Sequence, residues 1–245
     1  MKLREGIPSS LLHILAMVSM LCDHLWATMF PWLGWLTCVG RVAFPIFAFM
    51  IVEGYFHTHD IRRYLLRLLA FAVISEIPFN LIYGSSVSYI AHQNVLWTFL
   101  IGLVLILLIE KVRQKEKLWL TILVSALAVV FGWLIGMITA VDFYGFGVLM
   151  VLTFYFFHGK KWWCYVGQFI CMYYINVEMM GGLCYIFHIF GHEVELVQQG
   201  FALLALIPIW LYRGKQGYHA KWFQYFCYAF YPVHLLLLWL IWRQF

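Results

Sequence analysis

Charged side chains are scarce in this chain. Only 11% of its 245 residues are Asp, Glu, Lys or Arg, whereas soluble domains carry roughly 25%. Hydrophobic residues make up 64%. This composition excludes a disordered chain, a nucleic-acid-binding domain and an ordinary soluble enzyme. Because the apolar runs are continuous rather than alternating, a porin-like barrel is excluded as well. The sequence therefore predicts an all-α, polytopic helical bundle whose partner is the lipid bilayer.

A cysteine framework is also missing. The chain has six cysteines, and no two of them form a Cys-x-x-Cys pair. All of them lie in or beside apolar stretches, which favours small core residues over a disulfide or metal framework. They are Cys22, Cys38, Cys164, Cys171, Cys184 and Cys227.

Apolar segments account for most of the chain, and about nine of them are long enough to be membrane spans, given about 20 residues per span. So little is left for loops that we expect one transmembrane domain over residues 1–245. The first segment follows Lys2 and Arg4, as in a signal peptide, but Asp23 and His24 interrupt it, so we expect a retained helix. The segments are residues 9–30, 40–57, 64–83, 94–111, 118–137, 142–157, 162–187, 196–212 and 222–243.

Lys and Arg are absent from every second loop. They follow the second, fourth, sixth and eighth segments, whereas the loop after the seventh segment carries Glu193 and Glu195 instead. The positive-inside rule then predicts a cytoplasmic N-terminus and an external C-terminus. An even number of spans would place at least one loop rich in Lys and Arg on the outer side of the membrane, against the positive-inside rule.

Ionisable residues interrupt the apolar segments. Such a residue at the bilayer centre costs about 2.5–3.5 kcal/mol on insertion scales, so it needs a partner, water or a function. With the predicted orientation, most of them fall in the outer half, which predicts one cavity open to the outside. Asp23 with Arg41 also fits a purely structural ion pair between two helices. The outer set includes Asp23, His24, Arg41, Glu76 and Asp142, the inner set His13, Glu53 and Arg67, and His234 lies near the middle of the ninth segment.

His13 and His24 have a helical relationship. Their separation in sequence corresponds to three turns plus roughly 20°, which places both on one helical face about 16 Å apart. Asp23 points about 100° away from His24. It is therefore free to pair with Arg41 or with another helix.

Two other functions are open from the residues alone. His188 and His192 have the i, i+4 spacing of two metal ligands on a helix, but no HExxH motif surrounds them, so we expect no metal site. A proton- or ion-coupled small-molecule transporter is the stronger alternative, because buried acids and histidines form proton relays. The absence of an internal repeat speaks against it.

Several blocks of sequence resemble the TraX family of bacterial membrane proteins. The resemblance covers nearly the whole chain in order, and the GRVAFPIFAF block is its most specific part. The blocks are His13 to His24, Gly40 to Thr58, Tyr64 to Asn80, Asn94 to Leu103, Asp142 to Leu149 and Tyr228 to Leu238.

The resemblance implies an acetyltransferase of the bacterial cytoplasmic membrane. The activity associated with the family is N-terminal acetylation of conjugative pilin, with acetyl-coenzyme A as the donor. The first segment is also similar to the basic-x10-His motif of membrane O-acyltransferases, whose histidine is the supposed catalytic residue. Here His13 stands where the family usually has Lys.

Site residues follow from combining this resemblance with the chemistry of acetyl transfer. His24 is the expected base or acetyl carrier, because a neutral imidazole suits proton transfer near neutral pH. Asp23 and Arg41 are its expected supporting pair, and His234 is a second candidate for proton transfer. We expect the donor's phosphates at His13, Arg62, Arg63 and Arg67, and an amine or hydroxyl acceptor at Glu76, Asp142 and Tyr231.

Overall fold

The computed structural model describes residues 6–189, 192–218 and 220–244. It is 75% helical, which confirms the predicted all-α bundle. The helices are α1 Ser9–Thr28, α2 Gly34–Gly40, α3 Ala43–His57, α4 Ile61–Tyr83, α5 Val95–Arg113, α6 Leu118–Ile138, α7 Tyr144–Phe156, α8 Trp162–Tyr173, α9 Leu206–Leu211 and α10 Lys221–Trp242. A π-helix, Tyr174–Met180, continues α8, and a 3₁₀ helix, Gln198–Ala205, leads into α9.

Six stretches of the described chain are long and apolar enough to cross a membrane. They correspond to α1, α2 with α3, α4, α5, α6 and α10. Two further apolar helices, Tyr144–Phe156 and Gln198–Leu211, are shorter. Each of the nine predicted segments thus contains helix, while nine spans and their orientation stay predictions.

Strands occupy a region where the sequence pattern predicted only helix and loop. The seventh segment was expected to be helical to residue 187, but β1 Cys184–Ile189 pairs antiparallel with β2 His192–Val197. Gly181 and Gly182 end the π-helix with φ of 59° and 114°, values that glycine adopts most easily. His188 and His192 therefore lie on two paired strands, so the i, i+4 spacing does not place them on one helix.

The chain divides into two compact units, which are described separately. Unit 1 comprises Met1–Phe47, Gly159–Phe230 and Ile241–Phe245. Unit 2 comprises Ala48–His158 and Tyr231–Leu240.

In unit 1, α1 packs on α2 through a small-residue contact. A Cβ atom at Gly40 would lie 2.4 Å from the Cβ atom of Asp23, so no larger residue fits there. Buried apolar side chains of α1, including Leu12 and Ala16, form part of the core. The close approach brings a carboxylate of α1 against the end of α2.

In unit 2, α5, α6 and α7 pack closely on one another. A Cβ at Gly136 on α6 would meet the Cα of Gly145 on α7 at 2.6 Å, and one at Gly102 would meet Val151 at 2.7 Å. The opposite face of α6 is apolar and exposed, as at Ile122 and Val130. An exposed apolar helix face of this kind suits contact with lipid.

Candidate active site

Unit 1 contains a connected polar group, here called the Asp23 network and made of Asp23, Thr37, Arg41, Gln199 and Asn176. Arg41 Nη2 donates to Asp23 Oδ1 at 2.5 Å. The Thr37 hydroxyl donates to the same oxygen at 2.8 Å and accepts from Arg41 Nη2 at 3.0 Å. One carboxylate oxygen therefore receives a guanidinium and a hydroxyl at once.

The backbone explains why Arg41 reaches Asp23. α2 ends at Gly40 and α3 begins at Ala43, so Arg41 lies in the break between the two helices. Its Nε donates back to the Thr37 carbonyl at 3.3 Å, an oxygen that also accepts the Arg41 backbone amide at 3.0 Å. The guanidinium thus caps α2 while it pairs with α1.

Two neutral amides extend the network and were missed by sequence reasoning. Arg41 Nη1 donates to Gln199 Oε1 at 3.3 Å, and Gln199 Nε2 donates to Asn176 Oδ1 at 3.0 Å. Asn176 lies on the π-helix and donates to the Met172 carbonyl at 2.8 Å. Both amides are buried. A π-helix often marks a functional position, but the sequence carries no charge that would have indicated it.

His24 lies beside this network in sequence and is only 8% exposed. Its backbone carbonyl accepts the Thr28 hydroxyl at 2.7 Å. His13, nearer the start of α1, has its Nδ1 2.9 Å from the Ser9 carbonyl and is half-buried. The catalytic role of His24 stays a prediction, and its burial is compatible with a shielded base.

The hairpin adds a tyrosine to unit 1. The Tyr185 hydroxyl of β1 accepts from the Cys38 thiol at 3.4 Å and from Gln198 Nε2 at 3.2 Å. The hydrogen bond with Cys38 and burial raise the pKa of the Tyr185 phenol above its ordinary value. A Cβ at Gly34 would lie 3.2 Å from this hydroxyl. These contacts hold the hairpin against α2.

Unit 2 contains a second polar group, here called the Glu76 cluster and made of Glu76, Asn80, His92, Asn94 and Asp142. Asn94 caps the start of α5, with its Oδ1 accepting from the Leu96 amide at 3.1 Å. Its amide nitrogen donates to Glu76 Oε2, and Trp97 Nε1 donates to the same oxygen at 2.9 Å. Asn80 follows Glu76 by one helical turn of α4, so both point to the same side.

Several buried atoms of the Glu76 cluster have no hydrogen-bond partner within the described part of the chain. They are Glu76 Oε1, Asn80 Oδ1 and His92 Nε2. His92 Nε2 lies 3.5 Å from Asp142 Oδ1 without forming a hydrogen bond. Since a buried unsatisfied polar atom costs about 1–3 kcal/mol, the two oxygens indicate a place for a hydrogen-bond donor.

The backbone around Asp142 is strained. Ala140, Phe143 and Tyr144 have φ of 49°, 59° and 47°, which non-glycine residues rarely adopt. Hydrogen bonds hold this turn: the Asp142 amide donates to the Gln93 carbonyl at 2.8 Å, and the Thr98 hydroxyl donates to the Asp142 carbonyl at 2.6 Å. Strain of this kind clusters at ligand sites.

Tyr231 and His234 belong to the same unit and lie one turn apart on α10. Their ring centroids are 5.9 Å apart, and both residues are buried. Asp142, Tyr83 and Glu76 are among the electrostatic neighbours of Tyr231. The predicted acceptor residues Glu76, Asp142 and Tyr231 are thus neighbours in unit 2.

The expected donor-binding arginines lie on the first turns of α4. Arg62, Arg63 and Arg67 are all exposed. Arg63 pairs with Asp60, its Nε lying 2.9 Å from Asp60 Oδ2, and Asp60 also caps the helix. This geometry leaves an exposed basic surface, and phosphate binding there stays a prediction. Within residues 6–189, 192–218 and 220–244, no three metal-ligating side chains come together.

The fold and the two polar groups define a mainly helical membrane protein with partly buried ionisable centres. Residues 9–242 match the TraX protein family, so the chain belongs to that family. The chain is also 30% identical over 243 residues to the probable fimbrial assembly protein FimC, serogroup H1, of Dichelobacter nodosus, covering 93% of this chain and 92% of that protein. No solved structure matches the chain significantly.

Proposed function

We propose that this protein is an acetyltransferase of the bacterial cytoplasmic membrane. It moves an acetyl group from cytoplasmic acetyl-coenzyme A to an amine or hydroxyl on the outer side, on a peptide N-terminus, a glycan or a lipid. Membership of the TraX family and the fimbrial assembly relative support a role in modifying a surface appendage.

The observation that carries the proposal is the placement of His24. It is buried and follows Asp23, whose carboxylate is already engaged by Thr37 and Arg41. A shielded imidazole is suited to take a proton from the attacking amine or hydroxyl or to carry the acetyl group itself. The Asp23–Arg41 pair fixes the helix that carries it.

The Glu76 cluster supports an acceptor site. Its unpartnered oxygen atoms require N–H or O–H donors, which amine and hydroxyl acceptors both supply. Asp142 belongs to this cluster, Tyr231 lies near it, and His234 is the second candidate for proton transfer. On the donor side, His13, Arg62, Arg63 and Arg67 are the residues we assign to the nucleotide phosphates.

The catalytic assignment is tested with purified protein in proteoliposomes. His24→Ala is expected to abolish acetyl transfer from radiolabelled acetyl-coenzyme A, while His59→Ala, an exposed position after α3, serves as the matched control. Full activity of His24→Ala contradicts the assignment. Flux of a small ligand without acetylation favours the transporter instead.

The nine-span topology is tested with reporter fusions. Fusions after Lys115 and Lys215 are expected to report the cytoplasm, and a fusion near Glu195 the outside, because Lys and Arg mark cytoplasmic loops. A cytoplasmic signal at Glu195 would remove the outward acceptor site from the proposal.

A further inference from the structure

One end of unit 1 brings together the segments that carry its lysines and arginines. The amide of Ser9, the first residue of α1, donates to the Lys215 carbonyl at 2.8 Å. Tyr165 in the first turn of α8 packs against Trp210 of α9, with ring centroids 5.5 Å apart. The starts of α1 and α8 therefore lie beside the end of α9, where the chain leads into α10. We call the cations of this end the basic rim, and they are Lys160, Lys161, Arg213, Lys215 and Lys221.

The basic rim carries positive charge that unit 1 does not neutralise. All five side chains are exposed. The stretches that form this end, residues 6–22, 159–177 and 196–243, contain no Asp or Glu. Within the part of the chain that the structure describes, none of the five has a carboxylate within salt-bridge distance. The charge complement of this surface is an anion from outside unit 1.

The basic residues of unit 2 lie among carboxylates. Arg113 Nη1 lies 3.1 Å from Glu110 Oε1. His158 Nε2 lies 2.7 Å from Glu53 Oε1. Glu116 lies between two lysines in the loop after α5. A carboxylate beside a cation repels an incoming anion, so this region is a weaker site for phosphate than the basic rim.

Two lysines of the basic rim are unfavourable for the helices that they begin. Lys161 is the N-cap residue of α8, and its side chain makes no capping hydrogen bond. Lys221 is the first residue of α10. Neither helix has an acidic residue in its first turn. A positive charge at a helix N-terminus opposes the helix macrodipole, so helix stability does not explain these lysines.

The chain between α9 and α10 is held in a fixed shape. The Ser10 amide donates to the Gln216 carbonyl at 3.1 Å, and the Tyr218 amide donates to the Ser10 hydroxyl at 3.2 Å. A Cβ at Gly217 would lie 2.5 Å from the same hydroxyl, so this loop packs tightly on α1. The positive-inside rule requires only that a loop be charged. A loop tied to α1 in this way also presents Lys215 in a constant position, as a binding site requires.

An exposed aromatic pair borders the basic rim. Trp222 Nε1 donates to the Tyr218 hydroxyl at 2.7 Å, and the ring centroids are 5.7 Å apart. Trp222 is 61% exposed and Tyr218 55%, so the core does not account for either ring. Trp162, directly after Lys161, is exposed as well. Because Trp and Tyr are enriched where a membrane meets water, these rings indicate that the basic rim lies at the depth of the lipid head groups.

We propose that the basic rim binds the phosphate groups of anionic phospholipids. Arg213, Lys215 and Lys221 contact a head-group phosphate, and Tyr218 and Trp222 lie against the glycerol beside it. Basic clusters next to a membrane-spanning helix are typical of such sites. The occupant is a lipid rather than a free nucleotide, because the exposed rings lie at the start of a helix long and apolar enough to cross the membrane. This binding does not depend on the acetyltransferase activity.

Native mass spectrometry of the full-length protein in a neutral detergent measures the binding. Phosphatidylglycerol and phosphatidylcholine are titrated in parallel, and the lipid molecules retained are counted. Binding in detergent is independent of membrane orientation, so a role confined to topology predicts no preference between the two lipids. The test variant combines Arg213→Gln, Lys215→Gln and Lys221→Gln. The matched control removes the same charge from the end of α5 and the loop after it, through Lys111→Gln, Lys115→Gln and Lys117→Gln.

The wild-type protein is expected to retain phosphatidylglycerol in preference to phosphatidylcholine. Since one basic residue near an anionic surface is worth about fivefold in affinity, the test variant is expected to bind phosphatidylglycerol at least about tenfold more weakly. The control is expected to keep the wild-type affinity. Lys221→Gln alone is expected to weaken phosphatidylglycerol binding while its unfolding temperature without lipid stays the same or rises, because the lost charge opposed the macrodipole of α10.

Four results would overturn the proposal. The first is equal retention of the two lipids by the wild type, and the second is an equal loss of phosphatidylglycerol in the test variant and the control. The third is displacement of phosphatidylglycerol by an equimolar amount of acetyl-coenzyme A, which would make the basic rim a nucleotide site. The fourth is a lower unfolding temperature of Lys221→Gln without lipid, which would make this lysine a structural residue. Monodisperse elution in detergent shows that each variant is folded.

Discussion

The Asp23 network and the Glu76 cluster are both polar groups with buried members, but they differ in how completely their atoms are paired. In the Asp23 network, Arg41 engages Asp23, Thr37 and Gln199. In the Glu76 cluster, two oxygens and one imidazole nitrogen lack a hydrogen-bond partner within the described residues. A paired network rigidifies and positions, whereas a partly paired one is arranged for something else to bind. By this comparison the Asp23 network supports the fold, whereas the Glu76 cluster is arranged to bind a ligand.

The largest expected effect comes from breaking the Asp23–Arg41 pair. Arg41→Ala leaves a partly buried carboxylate without its cation, and we expect it to lower the free energy of unfolding by about 3 kcal/mol, the lower end for buried pairs because both side chains keep some exposure. Denaturant titration of the purified protein measures this. The double variant Asp23→Ala with Arg41→Ala is expected to recover part of the loss. Equal destabilisation by the single and double variants would contradict the coupling.

A steric change at the same contact between α1 and α2 is expected to lower the stability slightly less. Gly40→Ala places a Cβ atom 2.4 Å from that of Asp23, so α1 and α2 must separate, at a cost of about 2 kcal/mol. Gly200→Ala is the matched control, because its Cβ meets Val177 at an ordinary 3.5 Å. Thermal unfolding in detergent compares the two. If both variants unfold at the same temperature, the close contact is not a constraint.

The sequence predicted much of the scaffold and part of the polar groups. Continuous apolar runs locate the helices. A charge inside such a run, as at Asp23, indicates a special position in the sequence because placing it in the membrane costs free energy. The neutral amides Gln199 and Asn176 carry no such signal. Glu53 and His158 are 105 positions apart, so only the fold brings them together.

The hairpin shows a second limit of sequence reasoning. The residues of β1 are apolar and aromatic, so they extend the preceding helical run without a break in hydropathy. The double glycine at Gly181 and Gly182 was the available signal, because it ends a helix cheaply. Span counting based on hydropathy therefore made the seventh segment too long.

The Glu76 cluster is expected to affect acceptor binding more than stability. Glu76→Gln keeps an acceptor for Trp97 but removes the charge and adds a donor, so the KM for a synthetic peptide with a free N-terminal amine is expected to rise about tenfold, equivalent to about 1.4 kcal/mol. Glu195→Gln, on the exposed β2 strand, is the control. Acetylation kinetics at saturating donor measure the change. A raised donor KM with unchanged acceptor KM would assign the cluster to the other substrate.

The smallest effect is expected from the hydroxyl that joins the members of the Asp23–Arg41 pair. Thr37 is fully buried, and its Oγ1 donates to Asp23 and accepts from Arg41. Thr37→Val removes both hydrogen bonds at nearly constant shape and is expected to cost about 1 kcal/mol, because the ion pair itself persists. Thr37→Ser retains the hydroxyl and is expected to keep most of that stability, since it loses only a methyl group. The denaturant midpoints of the two variants decide between these contributions. If Thr37→Ser is less stable than Thr37→Val, the network needs the packing of the methyl group at this position rather than the hydroxyl.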